Sequence, residues 1–334
     1  MKFFFLGLGS IGARHVRNLY SLGERDFFAY RTGRAIAPVE TECGVRRVPT
    51  LEAGLAENPD AVFVTSPTSL HVPGATQALR AGCHVFIEKP LGHSMDGVAE
   101  LERLAAGSGR VVSVGYQMRF HPILTAIHTI LSAGELGRPI AAHLEIGQHL
   151  ADWHPGEDPR TSFASRRDLG GGVILTLSHE LDYSLWLFGP ARRVWCLGGK
   201  TSDLVRDVED TATMLVEFAS GLAATIHLDY LQRPASRGFK VLCERGKIEW
   251  DYFAPQATVY ASQPQTHRAI SLPPGFERNT LYLDEVRHFL AVIRGEEENR
   301  IALPSAMATL ELSLAALASL EANSPVALAN ATKP

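Results

Sequence analysis

The chain has 334 residues, of which 46% are hydrophobic and 20% are charged, and its formal net charge is -4. This length suits two domains with a core each, and the composition is that of an ordinary globular cytoplasmic protein. Basic residues are scattered among acidic ones, which argues against a nucleic-acid partner. We expect no membrane partner either, because no apolar run approaches the roughly 20 residues of a spanning helix.

The cysteines indicate a reducing compartment. The chain has four, Cys43, Cys83, Cys196 and Cys243, and they are far apart and form no CxxC pair. Neither a disulfide framework nor a zinc site is therefore expected. The histidines show no HxH or HExxH spacing, so the sequence predicts no metal.

The N-terminus predicts a dinucleotide site. The apolar run from Phe3 to Leu6 is typical of a buried strand, and it leads into a GxGxxG turn and then into a helical pattern over 13–22. Glycines in such a turn allow a tight bend, a close approach of backbone N–H groups to a pyrophosphate, and close packing of helix on strand. The residues expected to bind the cofactor here are Gly7, Gly9, Ser10, Ile11 and Gly12.

The end of the second strand, Phe27 to Tyr30, favours NADP over NAD. Sites that prefer NAD usually carry an acidic residue at this point, which binds the ribose 2'-hydroxyl. The sequence instead has Arg31, Thr32 and Arg34, whose guanidinium and hydroxyl groups suit a 2'-phosphate. The alternative is that these are solvated loop residues.

Three further predicted strands, 61–64, 84–87 and 111–114, end in polar residues. Since parallel sheets bind ligands at the carboxyl ends of their strands, these residues are expected at one ligand-binding edge. The candidates for cofactor contact are Thr65, Ser66, Pro67, His71, Glu88, Lys89 and Gln117.

With these motifs the sequence resembles the glucose-fructose oxidoreductase, inositol dehydrogenase and rhizopine catabolism (Gfo/Idh/MocA) family. The resemblance rests on the glycine turn, the stretch 65–71, Glu88-Lys89-Pro90, the stretch 115–122, Gly170-Gly171-Gly172 and His179-Glu180-Leu181-Asp182. It implies an α/β protein, with a Rossmann NAD(P)-binding domain over 1–121. An α+β domain over 122–334 would carry a large, mostly antiparallel sheet, the sugar pocket and the contacts of a homodimer or homotetramer.

The second half of the sequence agrees with such a domain. Alternating patterns predict strands over 141–147, 212–218, 222–230 and 239–243, with hairpin turns at Ser220-Gly221 and Arg245-Gly246. Helical patterns follow over 282–294 and 305–322, the second after Pro304.

Lys89 is the leading candidate for the acid/base residue. Oxidising a secondary alcohol requires a base for the hydroxyl proton. Beside the positive charge of an oxidised nicotinamide, the pKa of this lysine is expected to fall toward neutrality. A lone lysine is normally a surface residue, but the resemblance implies a catalytic or substrate-binding role, with the bond before Pro90 often cis in the family.

His179 and Asp182 form the second catalytic candidate. A helix is predicted over 173–188, and a spacing of three places both residues on one helix face. A histidine beside a carboxylate can relay a proton or bind sugar hydroxyls. The alternative is a core histidine with a helix salt bridge.

One departure from the family pattern concerns the catalytic carboxylate. Members of the family commonly carry an aspartate four residues before this histidine, whereas Leu175 and Thr176 occupy that region here. Either Asp182 or Glu180 supplies the carboxylate, or Lys89 and His179 act without it.

Other candidates for substrate contact are loop residues. The full set of substrate candidates is Lys89, Arg119, Trp153, His154, Arg167, His179 and Asp182, of which Trp153, His154 and Arg167 would look the same as solvated loop residues. The histidines on helices, such as His15, His128 and His288, have no partner pattern and are interpreted as structural.

The sequence therefore predicts an NAD(P)-dependent oxidoreductase that acts on a hydroxyl or ketone carbon of a sugar, sugar derivative or polyol. Two alternatives stay open, a redox-assisted glycosidase with tightly bound NAD and a non-enzymatic dinucleotide-binding regulator. Lys89 and His179 together argue against the regulator.

Overall fold

The computed structural model of the chain describes residues 1–33, 35–153 and 155–328. They form two compact units. The first comprises residues 1–117 and 277–307, and the second comprises residues 118–276 and the described residues from Ala308 on. Each unit is built around one sheet, of six strands in the first and nine in the second.

The first unit is a Rossmann-type fold, as predicted. Its elements up to residue 117 are β1 (Lys2–Leu6), α1 (Ser10–Ser21), β2 (Asp26–Tyr30), α2 (Pro38–Cys43), β3 (Arg46–Arg47), α3 (Leu51–Leu55), β4 (Ala61–Val64), α4 (His71–Arg80), β5 (His84–Ile87), α5 (Val98–Ser108) and β6 (Val112–Val114). The strands lie in the order β3-β2-β1-β4-β5-β6, and every neighbouring pair is parallel.

The central strands are almost wholly apolar because both faces of this sheet are covered. Phe4, Phe63 and Phe86, for example, have no exposed surface. The register pairs Leu6 with Val64, Val64 with Ile87, and Ile87 with Val114. The carboxyl ends of β1, β4, β5 and β6 are therefore level, and the residues that follow them lie along one edge.

The second unit carries the large sheet. Its elements are α6 (Pro122–Ser132), β7 (Pro139–Gly147), α7 (Val173–Thr176), α8 (His179–Phe188), β8 (Ala191–Gly199), β9 (Thr211–Phe218), β10 (Ala223–Asp229), β11 (Ser236–Cys243), β12 (Gly246–Asp251), β13 (Gln256–Ser262) and β14 (Gln265–Ser271). After these follow α9 (Arg278–Ile293), α10 (Leu303–Ala322) and β15 (Val326–Ala327). The sheet order is β14-β13-β12-β11-β7-β10-β9-β8-β15, antiparallel except between β7 and β10, which confirms the predicted mostly antiparallel sheet.

Helix α9 belongs to the first unit, so the division of the chain differs from the predicted boundary at residue 121. The ring of Phe289 lies 5.6 Å from that of Phe63 and 5.5 Å from that of Phe86, and Asn279 donates to Asn18. This segment returns to cover the aromatic core of the first sheet. A linear boundary in the sequence does not show such a return.

The predicted helix over 173–188 is two helices in the structure. Leu177, with φ -98° and ψ 34°, ends α7, and α8 begins at His179. The break separates Thr176 from His179, so these residues do not continue one regular helical face.

Helix α10 is the one described helix that is long and apolar enough to cross a membrane, with a mean hydropathy of 1.4 over an 18-residue window. This differs from our expectation that no apolar run approaches the length of a spanning helix, since Glu311 and several hydroxyl residues interrupt the apolar residues of α10. In the structure its Thr309 donates to the carboxylate of Asp182, and its Ser319 accepts from the backbone of Cys196. The helix thus contributes polar contacts to the core of the second unit.

Candidate active site

The glycine turn after β1 has the geometry of a phosphate cradle. A Cβ atom at Gly7, where φ is +96°, would lie 2.7 Å from the carbonyl oxygen of Thr65, and one at Gly12 would lie 2.8 Å from Thr65 Oγ1. At Gly9 an added Cβ would meet no heavy atom within 4 Å. The turn is packed tightly against β4 but open at Gly9, where α1 begins with no acidic residue in its first turn. These residues fit the pyrophosphate of a dinucleotide.

The end of β4 divides the predicted cofactor residues into two kinds. Thr65 Oγ1 donates to the carbonyl of Gly7 at 2.7 Å and so supports the turn. Ser66 Oγ is buried and has no hydrogen-bond partner, so it is available to a ligand. Pro67, beside it, is half-buried.

His71, a predicted cofactor residue, connects two loops through its two ring nitrogens. Its Nδ1 lies 2.8 Å from the carbonyl oxygen of Pro90, and its Nε2 lies 2.9 Å from that of Ser66. Both neighbours are acceptors, but burial lowers the pKa of His71. A neutral ring donates only one of these two hydrogen bonds.

At the end of β5, Glu88 contacts His15, a histidine for which the sequence showed no partner pattern. His15 Nε2 lies 2.6 Å from Glu88 Oε1, and the backbone N–H of Lys89 donates to Glu88 Oε2 at 3.1 Å. Burial opposes ionisation of Glu88, but the hydrogen bond with His15 and the neighbouring positive groups, of which His15 contributes most, together lower the pKa of Glu88. The carboxylate is fixed inside the protein, one residue before the proposed acid/base lysine.

The surroundings of His15 and Glu88 are shaped by β6 and α9. The ring of His15 contacts three aromatic rings, those of Phe63, Phe86 and Tyr282. A Cβ atom at Gly115 would lie 3.3 Å from the Glu88 carboxylate. Gln117, a predicted cofactor residue, donates to the hydroxyl of Tyr282 at 3.1 Å. Lys89 itself is partly exposed, and the peptide bond between it and Pro90 is cis.

At the end of β2, two arginines share one carboxylate. Arg31 Nη1 lies 3.6 Å from Glu40 Oε2, and Arg47 Nε donates to Glu40 Oε1 at 2.5 Å. The hydrogen bond from Arg47 lowers the pKa of Glu40, so the carboxylate is charged. Two positive groups and one negative group leave this corner positive. Thr32 is exposed, and Arg34 lies outside the described residues.

In the second unit, Asp182 and Arg119 bind each other. Arg119 donates from Nε and Nη2 to the two oxygens of Asp182 at 2.9 and 2.6 Å. Burial raises the pKa of Asp182, and the Arg119 charge opposes this rise. From the sequence, both residues were predicted to contact the substrate. In the structure the Asp182 carboxylate accepts hydrogen bonds from Arg119 and from Thr309.

The start of α7 explains part of the glycine run. A Cβ atom at Gly172, where φ is +105°, would lie 2.4 Å from Glu209 Oε1, and this carboxylate accepts the N–H of Ile174 at 3.1 Å. Gly172 is required because Glu209 occupies that space. His179, the first residue of α8, and Thr176 are both buried.

The remaining predicted substrate residues are dispersed. Trp153 packs its ring against Tyr230, with 5.5 Å between centroids. The side chain of Arg167 is 68% exposed and reaches Glu321 at 3.6 Å, which is a surface contact. His154 lies outside the described residues. Glu180, the alternative carboxylate, forms a buried ion pair with Arg237 at 2.7 Å.

Comparison with known proteins shows the family to which the chain belongs. Residues 1–116 match the model of an oxidoreductase family with an NAD-binding Rossmann fold, and residues 124–249 match the model of that family's C-terminal domain. Together the two matches cover more than half of the chain. The chain belongs to the Gfo/Idh/MocA family.

Individual relatives show what the chain is similar to. It is 29% identical over 221 residues to 1,5-anhydro-D-fructose reductase of Ensifer adhaerens, which is 64% of this chain and 63% of that protein. It is 28% identical over 251 residues to inositol 2-dehydrogenase 4 of Saccharopolyspora erythraea, which is 72% of this chain and 69% of that protein. The similarity to the first relative thus spans less than two thirds of its length.

The fold also matches solved structures over nearly the whole chain. The structure of levoglucosan dehydrogenase in complex with NADH and levoglucosan superimposes with a TM-score of 0.87, covering 99% of this chain and all of that one. Only 16% of the residues are identical, so this likeness shows the fold alone.

Proposed function

We propose that the chain is an NAD(P)-dependent dehydrogenase or reductase, which moves a hydride between the nicotinamide and a hydroxyl or ketone carbon of a sugar, sugar derivative or polyol. One observation carries the proposal. The carboxyl ends of β1 and β5 are level, so the glycine turn, which is open at Gly9, and Lys89 follow strands at the same edge of the sheet. The names of the relatives, an anhydrofructose reductase and an inositol dehydrogenase, agree with this substrate class.

The first unit would hold the dinucleotide. The backbone N–H groups of Ser10, Ile11 and Gly12, at the start of α1, would bind the pyrophosphate, and Ser66 Oγ would donate a hydrogen bond beside it. When bound, the nicotinamide supplies the hydride acceptor or donor for the reaction. Arg31, with Arg47 behind it, would favour NADP(H) by binding the 2'-phosphate.

Lys89 would exchange the proton of the substrate hydroxyl. His179 would assist by binding or relaying a proton at the substrate oxygen. Asp182 would act indirectly, because its carboxylate is bound to Arg119 and holds that guanidinium in place. The roles of a cofactor domain and a substrate domain would thus fall to residues of the two units.

We also propose that the protein is cytoplasmic and assembles as a homodimer or homotetramer through the nine-stranded sheet. Three large apolar side chains are exposed on β8 and β9: Trp195 at 43%, Leu197 at 52% and Leu215 at 49%. Trp195 and Leu215 are direct register neighbours. Contiguous exposed apolar surface of this kind is typical of a protein contact.

The test is reduction of nicotinamide by the purified protein. NAD+ and NADP+ are supplied separately with myo-inositol, D-glucose and levoglucosan, and absorbance at the wavelength of the reduced cofactor is followed. We expect turnover with at least one of the three compounds. If the protein binds neither cofactor, or binds one and reduces it with none of them, the proposal fails. Glycoside cleavage without net reduction would instead favour the redox-assisted glycosidase.

A further inference from the structure

One group of contacting side chains in the second unit contains several buried polar atoms without hydrogen-bond partners. The group, called here the Arg237 group, consists of His121, Glu180, Tyr183, Arg237, Trp250 and Tyr252. Tyr252 connects it, because its ring lies 5.6 Å from the Arg237 guanidinium, 5.9 Å from the Trp250 ring and 5.7 Å from the His121 ring. Strand pairing between β11 and β12 brings Arg237 and Trp250 near each other, and the backbone N–H of Tyr252 donates to the carbonyl of Arg237 at 2.9 Å.

The ion pair in this group leaves one atom of each partner unused. Arg237 Nε donates to Glu180 Oε1 at 2.7 Å, and the hydroxyl of Tyr183 donates to the same oxygen at 3.1 Å. Glu180 Oε2 and Arg237 Nη2 are buried and have no partner. The pair therefore presents one strong acceptor and one strong donor that nothing in the second unit satisfies.

Two aromatic residues add further unsatisfied atoms. His121 is 1% exposed and its Nδ1 has no partner, while Trp250 is 3% exposed and its Nε1 has none. Their ring centroids are 5.2 Å apart. Burial, with a smaller contribution from the charge of Arg237, lowers the pKa of His121 to about 4. The ring is neutral at physiological pH and keeps one nitrogen as an acceptor.

Four unsatisfied buried atoms in one group require an explanation. A buried polar atom without a partner is costly, and native proteins retain such atoms where water, an ion or a ligand satisfies them. The set here mixes donors, on Arg237 and Trp250, with an acceptor on Glu180. Hydroxyl groups match such a set because each can donate and accept at once.

The charges of Arg237 and Glu180 indicate which class of ligand the Arg237 group can bind. The guanidinium of Arg237 is already offset by the carboxylate of Glu180, so the Arg237 group carries no free counter-charge for an anion. An added carboxylate or phosphate would face Glu180 and be repelled. The rings of Trp250 and Tyr252 can pack against the C–H surface of a sugar, as aromatic rings in ligand sites do.

We propose that the Arg237 group binds a neutral polyhydroxylated part of the substrate, and that it selects against substrates that are anionic at that part. This inference rests on the proposed function, since it names the class of the same substrate. It assigns specificity to His121, Arg237 and Trp250, which the sequence did not indicate as site residues, and to Glu180, which the sequence indicated only as an alternative for the catalytic carboxylate.

The experiment measures binding by calorimetry, in the absence of turnover. The ligands are D-glucose, myo-inositol and D-glucuronate, which has a carboxylate where D-glucose has a primary alcohol. The variants are His121→Phe and Trp250→Phe, which remove polar atoms and keep an aromatic ring. His128→Phe is the matched control, because His128 lies on α6, which begins just after His121, and stacks on Trp186, outside the Arg237 group.

We expect the wild-type protein to bind at least one neutral ligand saturably. It should bind D-glucuronate at least about tenfold more weakly. Each variant should bind that neutral ligand about three- to tenfold more weakly, the effect of one lost neutral hydrogen bond. His128→Phe should bind as wild type does. Circular dichroism confirms that each variant is folded, and if one does not fold, the other decides.

Three results would overturn the inference: no binding of either neutral ligand, equal binding of D-glucuronate, or wild-type affinity in a folded variant of His121 or Trp250. The proposed function fails separately. A protein that binds polyols as expected but never reduces a nicotinamide keeps the inference and loses the function. A protein that reduces the nicotinamide while both variants bind normally loses only the inference.

Discussion

Arg119 binds the carboxylate of Asp182 through two hydrogen bonds, and the two side chains are only 8% and 0% exposed. Parallel hydrogen bonds between a guanidinium and a carboxylate fix the orientation of both groups. Because both side chains are buried, neither can turn away without breaking a charged contact inside the protein. This pair therefore fixes the position of α8 next to the segment that follows β6.

The first prediction concerns this pair. Asp182→Asn should lower the free energy of unfolding by about 3–5 kcal/mol, because it removes the carboxylate charge that offsets the buried guanidinium of Arg119. Asp168→Asn is the control, since the Asp168 side chain is 61% exposed in its pair with Arg166, and little change is expected there. Urea unfolding measures both. Equal small losses would show that the Arg119 pair is not structural.

The second prediction concerns Lys89. Lys89→Met should leave cofactor affinity nearly unchanged and reduce turnover about 100- to 10,000-fold, the usual effect of lost acid/base assistance. His179→Ala should also lower the rate, and the double variant should lose less than the product of the single losses if both side chains serve one proton transfer. Nicotinamide fluorescence measures binding, and single-turnover absorbance measures hydride transfer. Near-normal turnover in Lys89→Met would remove the acid/base assignment.

The third prediction concerns cofactor choice. Arg31→Ala should weaken NADP(H) binding about 10- to 150-fold, which is the range for one lost charged hydrogen bond, and leave NAD(H) binding unchanged. Arg46→Ala is the matched control, because Arg46 lies on neighbouring β3 but pairs with Glu57. Dissociation constants for both cofactors decide the matter. If wild type binds NAD(H) as tightly as NADP(H), the preference is wrong.

The fourth prediction concerns pH. His15 holds the pKa of Glu88 below its ordinary value of 4.5 despite burial, so this contact contributes stability that is present above about pH 4.5 and lost as the pH falls below it. In His15→Phe, burial acts on Glu88 unopposed by that partner. The variant should therefore be destabilised more at pH 7 than at pH 4.

Denaturant unfolding of wild type and His15→Phe at the two pH values measures that difference. The control is the same His15→Phe substitution made in a Glu88→Gln background, because that background lacks the titrating carboxylate and the cost of the substitution there should be the same at both pH values. A destabilisation by His15→Phe that stays constant between pH 7 and pH 4 would contradict the role given to Glu88.

The fifth prediction concerns assembly. Leu215→Lys should shift the protein toward the monomer, because it places a charge within the exposed apolar surface that Leu215 shares with Trp195. Met95→Lys, at a side chain in the first unit that is 39% exposed, should not. Sedimentation velocity gives the oligomeric state. A wild type that is monomeric at all concentrations would contradict the proposed assembly.

The sequence predicted the features that depend on short-range pattern. The strand 3–6, the glycine turn and the Glu88-Lys89-Pro90 strand end are contiguous, so their structural meaning is readable in order. The Rossmann fold and the mostly antiparallel sheet followed from them and from the family resemblance, and both are confirmed.

The contacts between distant residues could not be read in this way. His15 and Glu88 are 73 positions apart, Arg119 and Asp182 are 63 apart, and Glu180 and Arg237 are 57 apart. No local periodicity connects such residues. The break in the helix at Leu177 was missed for a related reason, since leucine and serine are compatible with a continuous helix and tertiary packing determines where it ends.

The return of α9 to the first unit has a consequence for how the protein is made. During synthesis the rings of Phe63 and Phe86 emerge early, but Phe289, which covers them, emerges only after the whole of residues 118–276. Until then the nascent Rossmann sheet exposes an aromatic surface of the kind that attracts chaperones or other unfinished chains. A fragment that ends at residue 117 would keep this surface permanently, so isolated expression of the cofactor-binding unit requires residues 277–307 to be joined to it.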